Sequence, residues 1–301
     1  MNLAVSRRTT RRYHLFTPDK RGEMADIFWY SLAYALDKCP GITLFAACLM
    51  STHPHYNIGD SNAEAPKLYE AFHRALALAT KAFRGWPEEV FNRASTAAHE
   101  VLTPEAMVRA LAYTIANPVA AFAVRKASDW PGATIRPEDI GTLELQVQRP
   151  RHYFRGPQFK DEYTIRFQMP PCLLERYGSL EAAQKAIAEA VQQLEAKAHA
   201  EAKAHHYFFK GPHRVLTMKH TKQASSYEVF GSLNPQFAAG GVVEAAKRAV
   251  AKIRAFRLRY AAAWKAYKEG DLDAVFPFGT WCMRVRYHCA VEPPPSTQVA
   301  A

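Results

Sequence analysis

Eight consecutive residues, Thr43 to Met50, carry no charge and are followed at once by Ser51, Thr52 and Pro54. A short apolar run closed by turn-forming residues is the pattern of a buried strand, and a chain that contains one has to cover it with other elements. Helical periodicity supplies that cover over Met24 to Asp37, Pro66 to Phe83 and Pro104 to Ala116. The last of these opens with Thr103 as cap and Pro104 in the first turn. Arg12 to Thr17 reads as a further strand. Strands and helices in alternation predict an α+β or α/β layer.

Beyond Pro131 to Glu138, where Pro131, Gly132 and Pro137 predict a linker, the pattern changes. Two strand-like runs, Thr142 to Gln148 and Glu162 to Met169, precede a long helix capped by Ser179, with Glu181 near its start. Its apolar stripe is Leu180, Ala183, Ile187, Val191, Leu194 and Ala198. After a Gly-, Pro- and Ser-bearing stretch from Gly211 to Gly241 comes a helix over Val242 to Lys268, with Ala246, Val250, Ile253, Phe256, Tyr260, Trp264 and Tyr267 on one face. Two units are expected, 1–135 and 136–301, the second mostly helical with a small β element.

Charge narrows the partners. The 301 residues hold 39 Lys and Arg against 28 Asp and Glu, a net +11, and the split near residue 135 leaves +3 before it and +8 after. Such a balance favours a polyanion, with nucleic acid first among the candidates. Arg7, Arg8, Arg11 and Arg12 are followed by His14, Pro18, Asp19 and Lys20 instead of an apolar core, so no signal peptide is expected, and no run reaches eighteen apolar residues. Cys39, Cys48, Cys172, Cys282 and Cys289 are odd in number and include no CxxC pair, which fits reduced thiols in a cytoplasmic chain.

Two short constellations carry chemistry. His53 and His55 lie two apart at the end of the apolar strand, so both imidazoles face one side and can share a metal ion; the plainer reading is a pair of turn histidines bonded to backbone. Tyr113 and Asn117 lie four apart, so on a helix they stack on one face, and Pro118 should end or bend the helix there. The plainer readings are a half-buried tyrosine with a satisfied hydroxyl and an asparagine capping a helix end.

Together, in this order, the two constellations resemble the HUH endonuclease superfamily, and within it the REP-associated tyrosine transposases. The resemblance rests on Met50, His53 and His55 in the strand, Tyr113, Asn117, Pro118 and Val119 in the helix, and Asp129, Trp130 and Pro131 downstream, and it covers roughly residues 1–135. It implies an antiparallel sheet packed by helices, the histidine strand central and the tyrosine helix laid across it. It also implies that His53, His55 and the Asn117 amide hold one Mg²⁺ or Mn²⁺, and that Tyr113 is the nucleophile of a transposase or nickase cutting single-stranded or hairpin DNA. A cytoplasmic, nucleoid-associated location goes with that activity, and either a homodimer or a monomer fits it; neither a membrane nor a nucleotide cofactor is implied. The chain departs from the family pattern at Pro54, at Thr52, at Ala120 and Ala121, and over Asn92 to His99, where no glycine-rich segment stands. These departures support the alternative, a domesticated DNA-binding protein of the same fold with weak or no cleavage.

Three further groups are candidate DNA contacts. Arg7, Arg8, Arg11 and Arg12 either grip DNA beside the first strand or form a mobile basic arm that binds weakly. Arg151 and Arg155 stand among Tyr153, Phe154 and Phe159, as in a stacking surface or as surface arginines around core rings. Lys252, Arg254 and Arg257 lie on the last long helix, which presents either a phosphate-binding or a solvated face. His199, His205 and His206 are read as surface histidines, and Cys282 and Cys289 as packed thiols.

Overall fold

The apolar run forms β2 of the computed structural model, which describes residues 1–92, 96–225 and 236–294. In chain order the elements are β1 (Asn2–Ser6), α1 (Glu23–Asp37), β2 (Ile42–Met50), β3 (His53–Asp60), α2 (Ala65–Arg84), β4 (Ala97–Val101), α3 (Pro104–Ala120), β5 (Glu144–Gln148), β6 (Glu162–Arg166), α4 (Pro171–Tyr177), α5 (Leu180–Ala204), α6 (Pro212–Leu216), β7 (Phe237–Ala238), α7 (Val243–Lys268) and α8 (Trp281–Arg286). The class is α+β.

Ser51 and Thr52 form the turn between β2 and β3, with Met50 opposite His53. β1 pairs antiparallel with both β3 and β4, giving the order β2-β3-β1-β4-β7. The sheet is mixed and not purely antiparallel, because the two residues of β7 join the β4 edge in parallel. A separate antiparallel pair, β5 and β6, lies beyond α1.

Period two assigns the faces of β3. Pro54, Tyr56 and Ile58 turn toward α1 and α2, where the Tyr56 ring lies 5.4 Å from Phe72 and its hydroxyl is 3.0 Å from His73 Nε2. His53, His55 and Asn57 turn the other way, toward α3, which is backed in turn by α5. Aspartates set the starts of two helices. Asp19 accepts from the Glu23 and Met24 amides at the head of α1, and buried Asp60 accepts from those of Glu64 and Ala65 at the head of α2. These satisfy donors that a helix start leaves open. Thr103 caps α3 and Ser179 caps α5, each accepting from the amide three residues on.

Three expectations change. Arg12 to Thr17 is not a strand: Thr10–Arg12 is a 3-10 turn with Arg11 and Arg12 at φ of 44° and 57°, and Thr17 folds back on the His14 carbonyl. Adjacent Leu15 and Phe16 are both fully buried, which a strand with one solvent face does not allow. Residues 131–138, read as a linker, lie along the outer edge of β2, where the Leu49 amide donates to the Ala133 carbonyl. One apolar core therefore runs from Leu3 to Val215 across that segment, and a smaller one gathers Ala263, Phe276, Met283 and Cys289. Finally, α3 does not stop at Asn117 but continues through Pro118 to Ala120. Among the described residues no helix is long and apolar enough to cross a membrane.

Candidate functional site

The two histidines open β3 and do not close β2, because the hairpin turn falls just before them. Their common face is unaffected by this shift: the rings meet edge to face with centroids 4.4 Å apart. Pro54, between them, is buried on the opposite face and stays clear of the site.

α3 brings the other two residues to the same place. Asn117, buried inside the helix, sets its side-chain nitrogen 3.1 Å from His55 Nε2, so its amide is turned to the histidine and not to a helix end. Tyr113, one turn earlier, lies with its ring 5.6 Å from that of His55 and is half exposed. The helix lacks a backbone donor at Pro118. It is tied to β3 at Thr114, whose hydroxyl donates to Asn57 Oδ1 at 2.7 Å.

Asn57 is a residue that sequence reading missed. It continues the period-two face of His53 and His55, and that spacing was the available signal. His99, which lines the same cavity from β4 opposite Ala4, had no motif to mark it.

The cavity beside these residues has a volume of about 820 Å³. Its lining includes Arg7, Arg8, Arg109 and Lys197 together with His53, His55 and His99, and it contains no carboxylate among the described residues. Burial, and after it the charges of His55, Arg8 and Arg12, hold His53 well below the usual histidine range. Burial, followed by Arg8 and His99, brings His55 to about 3. Both imidazoles are thus neutral at pH 7, with lone pairs available.

That donor set suits a divalent cation. Thr52 Oγ1 engages His53 Nδ1 at 2.8 Å, which leaves Nε2 for a ligand, and half a rotation of the Asn117 amide would present oxygen to the same point as His55 Nε2. No group of three His, Cys, Asp or Glu side chains among the described residues is arranged to share an ion; the set here is two imidazoles and an amide.

The predicted DNA contacts divide. Arg8 lines the cavity, close enough to act on both histidines and on Tyr113. Arg7 reaches the cavity wall, but its guanidinium binds His73 Nδ1 at 3.2 Å and covers the Phe91 ring. Arg11 and Arg12 sit on the left-handed turn beside it. Arg151 and Arg155 belong to the β5–β6 connection, where Phe154 packs 4.6 Å from Tyr30 of α1, on the far side of the sheet from the histidines. On α7, Lys252 pairs with Glu100, Arg257 reaches Gln236 and Arg254 is exposed. The structure does not bring these five to the cavity.

No family profile matches the chain, and neither a curated protein nor a solved structure is similar to it.

Proposed function

We propose that the chain is a metal-dependent transposase or nickase that cleaves single-stranded DNA through Tyr113. The observation that carries this reading is the convergence of a half-exposed tyrosine, two neutral histidines and a buried amide at a basic cavity with no carboxylate among the described residues. A phosphodiester is the anion such a cavity suits, and Arg8 of its lining would hold it. His53, His55 and Asn117 would hold Mg²⁺ or Mn²⁺, which supplies positive charge to a phosphate oxygen.

Tyr113 Oη attacks the phosphorus, the bond from phosphorus to the 3′-oxygen breaks, and the strand is left as a 5′-phosphotyrosine with a free 3′-hydroxyl. The phenolic proton passes to solvent and the departing oxygen takes one up. Because the new ester conserves the bond, the same step run backward onto another 3′-hydroxyl transfers the strand.

The test is covalent capture. The full chain is incubated with labelled hairpin oligonucleotides and Mn²⁺ and run on a denaturing gel. A shifted band that disappears in Tyr113→Phe and with EDTA is the expected result; a band that survives Tyr113→Phe places the nucleophile elsewhere. A second reading, a DNA-binding protein of this architecture without cleavage, draws on the Asn117 nitrogen facing His55, a bond that satisfies both groups with no ion between them. DNA binding with no adduct under any metal selects that reading.

A further inference from the structure

Residues 202–227 contain no aspartate or glutamate, and they include Lys203, Lys210, Arg214, Lys219 and Lys222. Residues 205–224 of this run leave the end of α5 and cross the C-terminal end of α3 as a strap. Its backbone is pinned at both ends. The Lys210 and Gly211 amides donate to the Phe122 and Ala123 carbonyls at 3.0 and 2.9 Å. Farther on, the Lys222 carbonyl accepts from the His14 amide at 2.8 Å, and the Ala224 amide donates to the Arg12 carbonyl at 3.0 Å.

Pinning decides which way successive rings point. Phe209 turns in, with centroids 5.7 Å from Phe122 and 4.9 Å from His199. Phe208 turns out and is 88% exposed, beside Tyr207 at 52%. A phenylalanine held in water on an ordered segment loses the burial that normally stabilises it. Around it the charge is of one sign. Lys210, with reduced hydration and beside Lys222 and Arg214, is held below the ordinary lysine range, and none of the three has a carboxylate partner among the described residues.

An exposed ring among cations with no carboxylate partner among the described residues matches a ligand with flat π-faces and an anionic backbone. An anionic membrane also answers cations and an aromatic, but docking to it takes a broad apolar face, and the strap offers rings one at a time. Position adds to the argument: the strap is bonded to Arg12 and His14, and the same short segment of chain carries Arg7 and Arg8 into the lining of the cavity.

We propose that the strap over residues 205–224 is a second contact for single-stranded nucleic acid, continuous with the cavity, in which Phe208 stacks a base and Lys210, Arg214 and Lys222 hold the flanking phosphates. It rests on the reading of the cavity as a DNA site, and the two fail separately.

The test is fluorescence anisotropy of the full chain with a labelled 24-nucleotide oligothymidylate in EDTA, over a range of salt. Phe208→Ala is expected to weaken binding at least about five-fold, and Phe208→Trp to restore it. The triple change Lys210→Gln, Arg214→Gln and Lys222→Gln is expected to lower the slope of log K against log salt by about 2. Circular dichroism confirms the fold of each variant. Affinity within two-fold of wild type in both Phe208→Ala and the triple variant overturns the strap, even where the Tyr113 adduct forms. Strap-dependent affinity with no adduct upholds the strap and removes the cleavage reading. Phe208-dependent binding to phosphatidylserine vesicles, with the oligonucleotide affinity unchanged, overturns it in favour of a lipid surface.

Discussion

His14 is a buried histidine whose Nδ1 lies 2.9 Å from Met218 Sδ, beneath the cationic strap. Burial, then Lys210 and Lys222, lowers it from 6.5 to about 4, so the folded protein keeps it neutral where the unfolded chain protonates it. Protonation therefore favours the unfolded state: the contribution is fully present above pH 6.5 and is lost as pH falls toward 4. At pH 5.5 the loss is about 1 kcal/mol. The other buried histidines lose stability in the same window, so urea titrations at pH 7.5 and 5.5 are expected to show a loss in the wild type that exceeds the loss in His14→Gln by His14's share; equal losses in both would remove His14 as a contributor. Thr114 acts at the same scale. Its hydroxyl donates to buried Asn57, whose own amide nitrogen has no hydrogen-bond partner among the described residues. Thr114→Val is expected to cost about 1–3 kcal/mol in urea by orphaning the Asn57 oxygen, while Thr114→Ser keeps most of the stability.

Between elements, the register of the hairpin slips by one residue at Phe45, between Leu44 and Ala46. The displaced ring lies over Gly59 of β3, where a methyl group would stand 2.8 Å from Phe45 Cζ. Gly59→Ala is therefore expected to cost about 1–3 kcal/mol in a thermal or urea melt, and Phe45→Leu in the same chain to recover part of it; a neutral Gly59→Ala would show that the ring moves freely. No sequence pattern announces this contact, because a bulge breaks the alternation that a reader follows. The four longest helices were legible because each has a cap or first-turn proline, or a sustained apolar stripe: Pro66 in α2, Thr103 in α3, Ser179 in α5 and the run of Ala246 to Tyr267 in α7, although the first half of α7 buries Ala245 and Ala249 and leaves Val250 of the expected face exposed. β1 and β4 were not, since Asn2–Ser6 and Ala97–Val101 are five residues each with little β-branched content, and their stability comes from pairing with each other and β3. The site was legible where spacing alone sets a face, as at His53 and His55 or Tyr113 and Asn117. It was not where strands far apart in sequence come side by side, as His99 and Ala4 do.

At the scale of the molecule, two cores of unequal size share one chain. The large core runs from Leu3 to Val215, whereas the small one is built from α7, α8 and the residues after them, with Phe276 fully buried beside Tyr260 and Tyr267. Among the described residues α7 is tied to the main sheet by β7 beside it, by the Lys252 pair with Glu100 and by Arg257 reaching Gln236. An exposed ion pair of that kind contributes at most about 1 kcal/mol, too little to make two cores unfold as one. Residues 243–301 hold ten lysines and arginines against five acids, so they carry five of the eleven net positive charges. Urea unfolding followed by tryptophan fluorescence is expected to show two steps, the earlier one reported by Trp264 and Trp281. Deleting 243–301 should abolish that step and leave the later midpoint unmoved; a single transition that shifts on deletion would mean that the small core supports the large one. The deletion also separates general attraction from site chemistry. On the proposed function, five fewer charges are expected to weaken DNA binding at low salt and to lose their effect as salt screens them, while the Tyr113 adduct on a short hairpin is expected to stay, because the described lining of the cavity ends at Gly240.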